Sequence, residues 1–406
     1  MATIKFQTLS FQEKGNELQV TLLKHFITSI PKEELDKIGL WKLKDANTII
    51  FKQTEQEKTE IKFFFLLEKY FHHLKTKLTG NNAIYIHKNS GIPLMGNPAF
   101  GIVYRNSSLI EIKPITSCNL DCIYCSVGEG LSSKKTDFVV EKDYLLEELK
   151  KLIQFVGVPV EVHVGVQGEP FFYEPIEELM ADLEKMERVK IVSIDTNGTL
   201  LTKEKVERLS QYKKLQLNMS LDAMDEKLAK KIAGIEHYNL NHVLEMITLI
   251  SKLKMNMIIA PVMMQNINES EMEKIIIFAK SLPNLPILGI QNFLPYKTGR
   301  IAAKQLGWEK FFAFLSELEK KYQVKLRLHE RDFGIIKTKE LNSPFSVGDK
   351  IYAWLKCPDR FPNSSIAVAK DRMISVPLCP FVRNKKVNLE ITRDKHNIFS
   401  GKWMKG

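Results

Sequence analysis

The stretch Leu109-Ile110-Glu111-Ile112-Lys113-Pro114, followed closely by Cys118-Asn119-Leu120-Asp121-Cys122-Ile123-Tyr124-Cys125, decides how the chain is read. The first part is an apolar, β-branched run that predicts a strand. The second places three of the chain's five cysteines within eight residues, at C-x3-C-x2-C spacing. Thiolates so spaced can wrap one soft metal centre from a single loop. Three ligands are one short of a filled four-iron cluster, which leaves one iron open to a further ligand. The competing reading is a zinc site completed by a distant residue.

Outward from this loop, strands and helices alternate. Helices are expected at Val139–Phe155, Pro175–Met186, Lys203–Gln211, Leu240–Leu253, Glu269–Ser281 and Trp308–Tyr322. Strands are expected at Val160–Val166, Val189–Ile194, Leu215–Leu221, Asn256–Val262 and Ile287–Asn292. Six strands with intervening helices predict a partial parallel (β/α)6 barrel, open rather than closed at eight. Functional groups then lie at the C-terminal strand ends. Those ends carry Gly165-Val166-Gln167-Gly168-Glu169-Pro170, Asp195-Thr196-Asn197-Gly198, Ser220-Leu221-Asp222 and Gln291-Asn292. The plainer readings are a tight turn for Gln167–Glu169 and Thr196–Gly198, and helix capping for Ser220 and Asp222. His163 reads as a packed core residue and His72-His73 as a solvated helix surface.

On these residues, the region from Leu109 to about Asn292 resembles the radical S-adenosylmethionine (SAM) enzymes. The C-x3-C-x2-C loop, with aromatic Tyr124 before the last cysteine, carries the resemblance. It implies that Cys118, Cys122 and Cys125 bind a [4Fe-4S] cluster whose open iron takes the amine and carboxylate of SAM. It also implies one-electron cleavage of SAM to methionine and a 5′-deoxyadenosyl radical, with a ferredoxin or flavodoxin as electron donor. The family's Gly-Gly-Glu motif stands here as Gln167-Gly168-Glu169, with the first glycine replaced and Glu169 expected at the SAM amine. Tyr124, Asn197, Ser220, Asp222, Gln291 and Asn292 are expected to complete the cofactor site.

Flanking this barrel (residues 96–343), residues 1–95 read as a small α/β domain, with helices at Leu18–Ile30 and Ile61–Leu78 and strands at Thr48–Phe51 and Ala83–Ile86. Residues 344–406 read as a small β-barrel, with strands at Lys350–Leu355, Ser365–Val368 and Met373–Val376. The net charge of +11 is uneven: residues 344–406 hold 12 basic against 5 acidic side chains, whereas residues 96–343 balance at 33 each. That asymmetry points to a polyanionic partner held by the flanks. On Phe345-Ser346-Val347-Gly348-Asp349-Lys350, Pro362–Ala369 and Asp371-Arg372-Met373-Ile374-Ser375-Val376, the tail resembles a TRAM domain, an OB-like RNA-binding barrel. The resemblance implies phosphate contacts from Lys356, Arg360, Lys370, Arg372, Arg383, Lys385 and Lys386, with Phe361 and Phe381 for stacking. Methylthiotransferases join the same two modules but carry three further N-terminal cysteines. Residues 1–117 contain none, which argues against sulfur insertion. Cys357 and Cys379 are too few for auxiliary clusters; one reading makes either a transient carrier thiol, the other a buried small hydrophobe.

Five cysteines in 406 residues, no basic-then-apolar leader in Met1–Lys5 and no run of about 20 apolar residues predict a reducing, cytoplasmic setting without a membrane span. The resulting expectation is a radical SAM enzyme that modifies a nucleoside of an RNA, with methylation the leading reaction and tRNA the leading substrate. The alternatives are modification of a protein or peptide, and an RNA-binding protein whose cluster is structural or redox-sensing.

Overall fold

The computed structural model describes residues 1–165 and 167–404. At its centre is a seven-stranded sheet of β1 (Gly101–Tyr104), β2 (Leu109–Lys113), β3 (Val160–Val164), β4 (Val189–Thr196), β5 (Leu215–Met219), β6 (Asn256–Ile259) and β7 (Ile287–Leu288). Each strand pairs with its chain neighbour. β1 is antiparallel to β2, and every later pair is parallel. The six parallel strands form the expected open, partial barrel. The strand expected over Val160–Val166 ends at Val164; Val166 lies outside the described residues.

The crossover helices are α1 (Lys142–Val156), α2 (Ile176–Glu184), α3 (Lys203–Leu209), α4 (Glu226–Ala233), α5 (Leu240–Lys252) and α6 (Glu269–Ser281), with α7 (Trp308–Tyr322) after the last strand. Alternation along each strand gives the sheet two unlike faces. Ile110, Ile112, Val162, Val164, Val192, Ile194 and Leu217 are buried on the face that packs the helices. Fully burying each such side chain stabilises by about 1.5–3 kcal/mol. On the other face Glu111, His163, Ser193 and Gln216 stand abreast in register. His163, expected as a packed core residue, is largely covered within the sheet, its side chain 15% exposed, and hydrogen-bonded to Ser193 Oγ at 2.8 Å and Asp195 Oδ2 at 3.0 Å.

The N-terminal region holds a four-stranded and a three-stranded sheet around the helix Gln56–Phe71. The helix expected over Leu18–Ile30 is instead a hairpin, Glu17–Leu22 paired with Phe26–Pro31. Leu18, Val20 and Leu22 are buried while Gln19 and Thr21 are not, which is period two rather than 3.6. Leu23 and Lys24 at the bend both have positive φ, the backbone a tight hairpin requires. The expected helix Val139–Phe155 likewise begins three residues late. Asp137–Val140 is a strand pairing in parallel with Ala83–Ile86, which ties the N-terminal region to the exit of the cysteine loop.

The C-terminal region is a closed barrel of β8 (Lys350–Pro358), β9 (Ser365–Ala369), β10 (Arg372–Val376), β11 (Lys386–Arg393) and β12 (Phe399–Trp403). It has its own core, including Phe345, Leu355, Ile374, Leu389 and Phe399. Among the described residues, no helix is long and apolar enough to cross a membrane.

Candidate functional site

The cysteine loop leaves the C-terminal end of β2 and is held from three sides. The first is α4, an eight-residue helix that the sequence reading missed. Its N-cap is Asp225, which accepts from Leu228 N at 2.8 Å; Asp222 is not the cap. At its other end the carbonyls of Ala233 and Ile232 accept from Asp121 N and Ile123 N, both at 3.0 Å. Those carbonyls would be unsatisfied in an isolated helix, so the loop completes the helix. Gly234 ends it with φ +71, and a Cβ there would lie 2.1 Å from Asp121 O; only glycine fits.

The second support is the end of β3. Glu169 N donates to Ser117 O at 2.9 Å. A Cβ on Gly168 would stand 2.4 Å from the same oxygen, at φ +65. Glu169 is 2% exposed. It accepts from Phe171 N (3.0 Å), Thr196 Oγ1 (2.8 Å) and Asn197 N (2.9 Å). Burial pushes its pKa up to about 7, against those three donors. Its carboxylate, expected at the SAM amine, therefore joins the ends of β3 and β4.

The third support is Arg300, which the sequence reading also missed. Its guanidinium donates to Cys122 O (3.0 Å), Glu129 O (2.8 Å) and Ser132 Oγ (3.0 Å), and pairs with Asp121. Its backbone N donates to Cys125 O at 2.9 Å. Hydrogen bonds to a charged group contribute about 1.5–3 kcal/mol each. Arg300→Leu is expected to lower thermal stability and to reduce iron retained per chain several-fold after reconstitution, measured by iron assay. Arg300→Lys should rescue little, because one ammonium cannot span a planar fork's acceptors.

The three thiols lie within electrostatic reach of one another. Burial raises the pKa of Cys118 and Cys122, and neighbouring negative charge adds to it: Glu169 beside Cys118, and Cys118 and Asp222 beside Cys122. Thiolates that oppose one another in this way suit a cationic centre. Among the described residues, no three His, Cys, Asp or Glu side chains converge on a site for one metal ion.

Beside Cys122 a pocket is lined by Tyr124, Asn197, Ser220, Asp222 and Tyr238, with Leu120 and Ala233 behind. Four of the residues expected at the cofactor thus meet there. Tyr124 OH donates to Asp222 Oδ2 at 2.7 Å, and Val262 N donates to Asp222 Oδ1 at 2.8 Å. Burial pushes Asp222 up to about 6. Asn197 Nδ2 donates to Asn119 Oδ1 at 3.0 Å, tying β4 to the cysteine loop. Gln167 is 8% exposed and its Oε1 has no hydrogen-bond partner among the described residues. A buried lone acceptor is costly alone and fits an ammonium group, so the residues present suit SAM's amine. Gln291 and Asn292 do not share this pocket. They line a second cavity with Asp195, Asn218 and α7, because β7 and the segment after it lie across the barrel from the cysteines.

The remaining expected residues separate. Cys357 and Cys379 are 4% and 1% exposed and belong to two different cores. Burial raises both thiols, so neither is placed as a carrier nucleophile. Arg360 is 4% exposed. It pairs with buried Glu129 and donates to Thr136 O at 2.9 Å, so it holds the cysteine loop rather than a phosphate. Arg383 is taken by Glu68 (3.1 Å) and His72. Arg372 donates to Asn397 Oδ1 at 3.1 Å. Lys370 caps Pro344 O at 3.2 Å. Lys356 lies against Gly91, and Lys385 and Lys386 are exposed.

A model of the radical SAM superfamily matches residues 112–279, the span that holds the cysteine loop, α4 and the pocket. The chain belongs to the radical SAM superfamily. It is 36% identical to an uncharacterized protein of Methanocaldococcus jannaschii over 354 residues, 80% of this chain and 81% of that one. It is 27% identical to a GTP 3′,8-cyclase of Clostridium botulinum over 209 residues, half of this chain and 63% of the cyclase. Among solved structures, a radical SAM methyltransferase from Sphaerobacter thermophilus covers 54% of this chain and 65% of its own, at 13% identity and a TM-score of 0.44. As a radical SAM enzyme the protein uses a [4Fe-4S] cluster and SAM. Cys118, Cys122 and Cys125 would hold the cluster, and Asn197, Ser220 and Asp222 line the pocket beside Cys122. When bound, this pair supplies one-electron chemistry for hydrogen abstraction; the protein contributes position and exclusion of water.

Proposed function

We propose that this radical SAM enzyme modifies a nucleoside of an RNA, with tRNA the substrate class and carbon methylation the reaction to test first. The observation that carries the reading is the outer face of the C-terminal barrel. Tyr352 and Trp354 on β8 are 66% and 48% exposed. The ammonium of Lys386, opposite Trp354 in register on β11, lies 4.9 and 5.9 Å from their ring centres. Lys385 lies 5.1 Å from the Trp403 ring. Large aromatics left in solvent need a reason. Aromatic platforms interleaved with lysines are how β-barrels bind single-stranded nucleic acid, the rings stacking on bases and the lysines meeting phosphates. A relative named for a reaction of GTP is in keeping with a nucleoside substrate.

The test is RNA affinity across a salt series. Affinity should fall steeply with salt. Trp354→Ala should weaken binding by about 1–3 kcal/mol, and Lys386→Ala should flatten the salt dependence. Both are surface changes that leave the Arg360–Glu129 pair at the cysteine loop in place. Salt-insensitive binding, or binding of peptides in place of RNA, would contradict the proposal.

A further inference from the structure

The second cavity, about 430 Å³, lies on the inner face of the sheet, bordered by the segment Gly289–Leu294 and by α7. It has two kinds of wall. Asp195, Asn218 and Asn292 supply polar groups, and Trp308, Phe311 and Phe312 supply aromatic surface. None of these six lines the pocket beside Cys122.

The polar wall is braced from behind. Ser193 Oγ donates to Glu161 Oε1 at 2.5 Å and meets His163 Nδ1 at 2.8 Å; His163 Nε2 meets Asp195 Oδ2 at 3.0 Å. Asn218 Nδ2 donates to Asp195 Oδ1 at 2.9 Å, and Gln216 Nε2 donates to Asn218 Oδ1 at 3.1 Å. This chain crosses β3, β4 and β5 and fixes the orientation of Asp195 and Asn218. Barrel interiors are ordinarily filled by branched apolar residues, so a hydrogen-bonded polar layer here calls for a polar occupant.

Asn292 narrows the class of occupant. It is 7% exposed; its Nδ2 donates to Leu306 O at 2.7 Å, and its Oδ1 has no hydrogen-bond partner among the described residues. That oxygen calls for an N–H or O–H donor. In the same lining, Trp308 and Phe312 stack on each other with centroids 5.7 Å apart and planes 25° apart, yet remain 48% and 43% exposed. A flat apolar surface and an unpaired amide oxygen lining one cavity suit a planar heterocycle with an N–H donor. The volume is in the range that takes a small molecule rather than a folded segment.

We propose that this cavity receives a single nucleobase, its face on the Trp308–Phe312 pair and its N–H edge on Asn292. Enzymes that act on a base in a polymer hold it extruded in such a pocket, read by edge hydrogen bonds and aromatic stacking. The proposal rests on the RNA reading for why a base arrives, but it concerns a different surface from the barrel's Tyr352–Trp354 face.

The test is isothermal titration calorimetry of the intact protein with free adenosine, guanosine and cytidine, with ribose as control. The three nucleosides should bind and ribose should not. Asn292→Leu should weaken nucleoside binding about tenfold or more through the lost hydrogen bond. Trp308→Ala should weaken it comparably, while Trp308→Phe should restore most of it. SAM binding by the reconstituted enzyme should stay unchanged in all three variants; Asn292→Leu should lose some melting temperature with its bond to Leu306 O but, like the others, still unfold cooperatively well above the assay temperature, which separates a lost contact from a lost fold. Absence of nucleoside binding, or affinity unaltered by Asn292→Leu and Trp308→Ala, would overturn the proposal even if RNA still bound the barrel face. Nucleoside binding that depends on these residues, in a protein without affinity for RNA, would uphold the cavity and overturn the RNA reading.

Discussion

Cys122→Ala protein is expected to fold but to be inactive. After anaerobic reconstitution it should hold far less than the four irons per chain of the parent and release no 5′-deoxyadenosine from SAM under reduction. Cys122→Ala removes one small thiol, so the loss should cost about 1 kcal/mol of stability, on the scale of one buried methylene. Its chemical role has no substitute among the other cysteines: Cys118 and Cys125 have their own places in the set, and Cys357 and Cys379 are buried outside the loop. Cys118→Ala and Cys125→Ala should behave alike. Cys357→Ala gives the contrast: its thiol is packed in the main core, so the change should cost stability by about 1 kcal/mol, on the scale of one buried methylene, and leave SAM cleavage intact. Retention of SAM cleavage by Cys122→Ala would refute the assignment.

Arg360→Met is expected to destabilise the protein by about 3–5 kcal/mol, the usual result of leaving one member of a buried ion pair alone. The stranded group would be Glu129, 4% exposed, whose backbone N donates to Cys125 Sγ at 3.3 Å. The damage should therefore reach the cysteine loop and lower iron retention as well as the melting temperature. The double change Arg360→Met with Glu129→Leu should recover much of the loss, because two apolar groups replace a desolvated pair. A denaturant titration of the two single variants and the double variant measures the coupling. Additive losses would show that the pair does not join the barrel to the loop.

What could be read from the sequence was local. The cysteine spacing, the strand before it and helices such as Trp308–Tyr322 and Glu269–Ser281 depend on neighbours a few residues apart, and they stand where expected. Arg300 could not be found that way. It reaches Cys122 across 178 residues of chain, and nothing near Lys297–Arg300 signals a partner. Helix α4 was hidden by its length of eight residues and by an acidic run, Asp222 to Glu226, that offered several caps. The hairpin Glu17–Pro31 misled because a short apolar run carries no decisive period until one knows which side is buried.

Charge was the least informative guide to the tail. Arg360 and Lys386 look equivalent in the chain, yet one is buried against Glu129 and the other lies in solvent over two aromatic rings. The alternation Tyr352-Ala353-Trp354-Leu355 was a usable signal for the exposed aromatics, since period two places both rings on one face of β8.

The most direct test is the yield of 5′-deoxyadenosine from the anaerobically reconstituted, reduced enzyme with SAM, measured by mass spectrometry in the presence and absence of RNA. Release is expected, it should require Cys118, Cys122 and Cys125, and RNA should increase it above the level with nuclease-treated RNA or with peptides. No release at all, or release indifferent to RNA and stimulated by peptides, would contradict it.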